Sequence, residues 1–110
     1  MGIELELHSG RPNRKGSSRD TLLRGSYEHG DALSRVLSNL NRHGSGKLGW
    51  VDPYSDTLFN EQEAQIVRQE VVALSQGCAD EQQKAALLDL AELLEVCAAT
   101  PGSYLWFMGD

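Results

Sequence analysis

Residues 3–8, IELELH, alternate apolar and polar positions, which places Ile3, Leu5 and Leu7 on one face of a strand. Residues 9–30 lose any sustained period and are rich in Gly, Ser and Arg, so they read as a long basic loop. Leu33, Val36, Leu37 and Leu40 then recur at helical spacing behind Asp31, which has the chemistry of an N-cap. His43-Gly44 closes that helix, and Gly44-Ser45-Gly46 makes a turn. Leu48 to Val51 is a short apolar run suited to a strand. Pro53 lacks the N–H needed to continue a ladder, so pairing should stop there.

The second half is more strongly marked. Asn60 and Glu63 form a capping pair: the amide oxygen accepts from an early backbone N–H and the glutamate reaches back. Ala64, Val67, Val71 and Leu74 follow as an apolar stripe, with Gly77 placed as a left-handed C-cap. Asp80 and Gln83 repeat the capping logic. Leu87, Leu90, Ala91, Leu94 and Ala98 line a wide apolar face that ends at Thr100-Pro101-Gly102. Two helices over 61–76 and 81–99, joined by a short turn, make an antiparallel hairpin. Residues 103–108, SYLWFM, are apolar and aromatic and too short for a useful helix, so they read as a strand. The expected fold class is α+β: one domain over residues 1–110, with about three helices on a small sheet from 3–8, 48–51 and 103–108.

Composition narrows the classes. No run approaches the ~18 apolar residues of a membrane span. The N-terminus carries glutamates where a signal peptide has a basic head, so the expected location is cytoplasmic. If a helix separates Cys78 from Cys97, they lie ~30 Å apart, too far for a disulfide. Both then serve as small buried hydrophobes.

The net charge of −6 is unevenly spread. Residues 1–47 hold eight basic residues against five acids, a net +3, whereas 48–110 hold two against eleven, a net −9. An acidic protein is poorly suited to nucleic acid, whose phosphates need positive surface. It is better suited to a basic partner protein.

No specific catalytic, nucleotide or metal motif is present, and no cofactor is implied. Gly44-Ser45-Gly46-Lys47 lacks the first glycine of a phosphate loop, and Leu48 follows the lysine where Ser or Thr is needed. His8, His29 and His43 show no close ligand spacing. Asp52 and Asp56 bracket a Pro-Tyr-Ser turn. They are either turn formers, bonding nearby backbone N–H groups, or a pair of carboxylates for a cation or ligand. All aromatics except Tyr27 fall in two stretches, 48–60 and 103–110, which the helix hairpin can bring side by side. Most are expected in the core. Trp50 and Tyr54, beside Asp52 and Asp56, are the candidates for a surface role, with Asp110 as a possible ligand neighbour.

Two segments carry a resemblance. Asp52, Pro53, Tyr54, Asp56, Thr57, Phe59 and Asn60 precede the hairpin. Tyr104, Leu105, Trp106, Phe107, Gly109 and Asp110 close the chain. Together they resemble a group of small, uncharacterised bacterial proteins with a DPYxDTxFN segment, a helix hairpin and a C-terminal YLWFxGD segment. Ser55 departs from the glycine common there, which leaves the turn type open. The resemblance implies no activity. Three functional readings follow from the residues. The first is a non-enzymatic acidic interaction protein of the immunity or antitoxin kind, using Trp50, Asp52, Tyr54 and Asp56. The second is a small-molecule or cation-binding domain built on Asp52, Asp56 and Asp110. The third is a structural homodimer subunit with the C-terminal aromatic segment as an edge strand.

Overall fold

The computed structural model describes residues 2–10, 22–41, 51 and 56–109. The elements run β1 (Glu4–His8), β2 (Leu22–Ser26), α1 (Gly30–Asn41), β3 (Asp56–Asn60), α2 (Glu61–Gln76), α3 (Glu81–Ala99) and β4 (Tyr104–Met108). This is the α+β class, with a helix hairpin, that the hydrophobic pattern predicts. The four strands form one sheet in the order β2-β1-β4-β3, and every pairing is antiparallel.

The alternation in β1 decides the sheet's faces. Leu5 lies opposite Phe107 and Leu7 opposite Leu105. Phe107 and Leu105 in turn lie opposite Thr57 and Phe59. These positions share the face on which the helices pack. Phe59 and Phe107 meet edge to face, with centroids 5.4 Å apart, an arrangement that suits the ring quadrupoles. The core continues through Leu33, Val36 and Leu37 of α1, Ala64, Val67 and Val71 of α2, and Leu87, Leu90, Leu93 and Leu94 of α3. Helix α3 touches α1, α2, β1 and β4. Its apolar residues therefore spread around much of its circumference instead of forming a narrow stripe.

Local chemistry sets the helix ends. Asn60 is both the last residue of β3 and the N-cap of α2. Its Oδ1 accepts from Glu63 N at 2.8 Å, and its own N–H donates to Glu63 Oε1 at 3.1 Å. Asp80 caps α3 by accepting from Gln83 N at 3.0 Å. The two helices then pack as the expected hairpin. Glu61 ties its far end down by accepting from Gly102 N at 2.9 Å.

Several expectations need correction. Residues 9–30 are not one loop, because 22–26 form β2 on the edge of the sheet. The strand described beside β4 is 56–60. Val51 is buried but lies in no strand, and 48–50 and Pro53 fall outside the described residues. Asp56 and Thr57 begin this strand, and the Pro-Tyr-Ser turn that Asp56 was expected to bracket lies outside the described residues. Asp31 is not an N-cap: α1 begins at Gly30, and Leu33 N donates to His29 O at 2.9 Å. Asp31 instead pairs with Arg35 one turn on, at 2.9 Å. Gly77 is not left-handed. Its φ is −96°, and its N–H bonds back to Leu74 O and Ser75 O in a tight final turn. Strand β4 lies between β1 and β3, so it is not an edge. The turn at 44–46 lies outside the described residues.

Both cysteines are free, as expected from their separation. Cys97 is buried, whereas Cys78 is half-buried. Burial pushes the Cys97 thiol up, partly offset by a hydrogen bond from Ser103, so it is a packing residue and a poor nucleophile.

Candidate functional site

The residues first expected to form a site are divided by the structure. Trp50, Asp52, Tyr54 and Asp110 lie outside the described residues. Asp56 is exposed at the start of β3, opposite Met108 of β4. The two aromatic stretches therefore do run side by side where they are described. Their buried aromatics are Phe59 and Phe107, while Tyr104 and Trp106 are half-buried on the opposite face. Among the described residues, no three His, Cys, Asp or Glu side chains are grouped to hold a metal ion.

The more developed arrangement lies on that opposite face and at its β2 end. Glu4, Glu6 and His8 alternate with the buried leucines of β1, so they share this face. His8 Nε2 sits 3.0 Å from Glu6 Oε1, and the imidazole is fully buried against Trp106, with ring centroids 5.7 Å apart. The second oxygen of Glu6 accepts from the Tyr27 hydroxyl at 2.8 Å. Tyr27 follows β2 and reaches back over Gly25, which lies opposite Glu6. A Cβ at Gly25 would run into the Tyr27 ring and hydroxyl, so a larger residue there would have to displace the ring. The hydrogen bond to the Glu6 carboxylate, followed by burial and the nearby Glu6 and Glu4 charges, pushes the Tyr27 phenol up to about 12. The phenol is thus held neutral as a donor.

The network fixes the corner between β2 and α1. On the helix side, Ser26 donates to Asp89 of α3, and Arg24 lies 3.5 Å from Glu92. At the start of the helix, Ile3 N donates to Gly30 O at 3.0 Å. A Cβ on Gly2 would come within 2.8 Å of the Gly30 backbone, so this close approach needs glycine. Tyr27, Glu28 and His29 are thereby held between β2 and α1.

Three concavities adjoin this corner and share Glu28. One, of about 440 Å³, is lined by Glu4, Tyr27, Glu28, Asp31 and Met108 among others. A second, of about 410 Å³, lies between the starts of α1 and α3 and adds His29 and Glu81. The third, of about 240 Å³, adds Ser26 and Asp89. Five carboxylates line them (Glu4, Glu28, Asp31, Glu81 and Asp89), and among the described residues no lysine or arginine does. Arg35 partly offsets Asp31 from one side.

Sequence reasoning missed this corner. The carboxylates come from β1, the β2–α1 loop, α1 and α3, and no spacing along the chain connects them. The signals that were present are the period of two that puts Glu6 with His8 and the isolation of Tyr27 from the other aromatics. Compared with protein families, with curated proteins and with solved structures, the chain finds no match, so the resemblance carried by the two aromatic segments stands on those residues alone.

Proposed function

We propose that this protein is a non-enzymatic binding protein for a basic protein partner, of the immunity or antitoxin kind. The observation that carries the reading is the β2–α1 corner, where five carboxylates line three adjoining concavities with no lysine or arginine among the described residues. Such a surface raises the encounter rate of a basic partner and repels an acidic one. Tyr27 and Met108 add an aromatic ring and a polarisable thioether to the largest of the three, which suits the stem and head of a bound lysine or arginine. The charge of the whole chain, −6, has the same sign as the site. This reading moves the contact surface from Trp50, Asp52, Tyr54 and Asp56 to Glu4, Tyr27, Glu28 and Asp31.

The test is binding to the purified product of the adjacent gene, in wild type and in a Glu4→Lys/Glu28→Lys double variant. Both positions are exposed, so the variant should fold. The expected result is a complex that weakens steeply as salt approaches about 1 M, where charges are screened beyond about 3 Å. The double variant should lose most of that affinity at low salt. A complex indifferent to both salt and charge reversal would remove the electrostatic reading, and the absence of any complex would remove the assignment of partner.

A further inference from the structure

We infer that β2 receives an extended, basic segment of the partner as a fifth strand, with the segment's cationic end lying in the acidic corner. The inference rests on the proposal that the partner is basic and goes further by stating how it docks. Strand β2 is the outermost of the order β2-β1-β4-β3, and among the described residues only β1 pairs with it. One side of its backbone N–H and C=O groups is therefore turned outward, as a template for another strand. Residues 22–25 are all exposed, and two of them are large and apolar: Leu22 at 37% and Leu23 at 49%.

Natural edges are commonly guarded by lysine, by proline or by a covering helix. Strand β2, LLRGS, has neither lysine nor proline. Its one charge, Arg24, is drawn toward Glu92 of α3. The strand is followed by Tyr27 and a bend at Glu28 and His29, and Gly25 and Ser26 share a concavity with Glu28 and Asp89, so a segment laid along the strand ends beside these carboxylates. Ladder hydrogen bonds would supply affinity, the leucines would meet apolar side chains, and Glu28 with its neighbours would select for lysine or arginine at one end. A second copy of this chain fits less well, because it would bring its own acidic corner and another −6 of charge to the same edge.

The experiment uses the full chain, isotope-labelled for NMR, and a blocked synthetic peptide of about ten residues alternating valine and lysine, long enough for one strand. Two controls accompany it: the same peptide with every backbone nitrogen methylated, and a counterpart with glutamate for lysine. The expected result is that the lysine peptide shifts the amides of Leu22 to Ser26 and slows their exchange. Backbone methylation should weaken it about tenfold or more, equivalent to about 1.4 kcal/mol, and the glutamate peptide should not bind. Equal binding of the methylated and unmethylated lysine peptides, with shifts confined to residues 27–31, overturns strand addition and leaves the basic-partner reading standing. If neither lysine peptide binds at low salt, or the glutamate peptide binds as well, both fail. A dimer of the free protein with protected β2 amides assigns the edge to a second copy and also overturns the inference.

Discussion

At the scale of single residues, Glu6 is the most consequential side chain in the candidate site. It sits on a central strand with one oxygen toward His8 and the other toward Tyr27. Through it a buried imidazole and an exposed phenol share one carboxylate: the contact with His8 is partly desolvated, where such bonds are stronger than in water, and the one with Tyr27 is exposed. The effect can be read from Tyr27. Its phenol is raised from 10.0 to about 12, so the folded state favours the neutral form. The linked stability is fully present below the unfolded value of 10.0 and is lost as pH rises through about 12. Titration of tyrosinate absorbance should show one tyrosine ionising near the upper value, assigned by its disappearance in Tyr27→Phe. Glu6→Gln should bring that ionisation back toward the ordinary range and flatten the stability change over the same window. An unshifted phenol in the wild type, indifferent to Glu6→Gln, would show that the bond does not persist in solution.

At the scale of elements, legibility followed burial and capping. Strand β1 was readable because Leu5 and Leu7 face the core while Glu4 and Glu6 do not. Helices α2 and α3 were readable because each begins at a capping side chain and ends near a turn residue. Strand β2 was not readable. An exposed edge strand has no buried set to impose a period, and Arg24-Gly25-Ser26 has loop composition. Strand β3 is not legible because Asp56 and Thr57 have turn-forming side chains, and because Asn60 serves at once as strand end and helix cap. That double role makes Asn60 a test of how the elements are joined. Asn60→Ala removes the acceptor at 2.8 Å from Glu63 N, a loss of about 1 kcal/mol for a typical cap. Denaturant unfolding should show this as a lower midpoint with an unchanged slope. Asn60→Asp keeps the acceptor and should recover most of the loss. If Asn60→Asp is as unstable as the alanine variant, the cap is not what Asn60 contributes.

At the scale of the whole molecule, one buried cluster joins every element except β2, which is fastened by hydrogen bonds and a salt bridge instead. Core and candidate site are therefore separable. The core lies between the helices and the sheet, while the acidic corner and its edge strand lie at the sheet's margin. This explains why so little of the site was visible in the chain: its carboxylates are solvated surface residues until the fold brings them together. It also means that the core can be weakened without touching the site. Phe107 is fully buried beside Phe59 on a strand flanked on both sides. Phe107→Ala should cost about 3–5 kcal/mol, a large part of the roughly 5–15 kcal/mol that stabilises a domain. Because the helices and the sheet share this cluster, tryptophan fluorescence and far-ultraviolet circular dichroism should report one coincident transition, shifted to lower denaturant. Below that transition the variant should keep the wild-type ionisation of Tyr27, since Glu6 lies on the other face of β1. Helical signal that outlasts the fluorescence change would instead divide the hairpin from the sheet. An altered Tyr27 ionisation in the folded variant would show that core and corner are coupled.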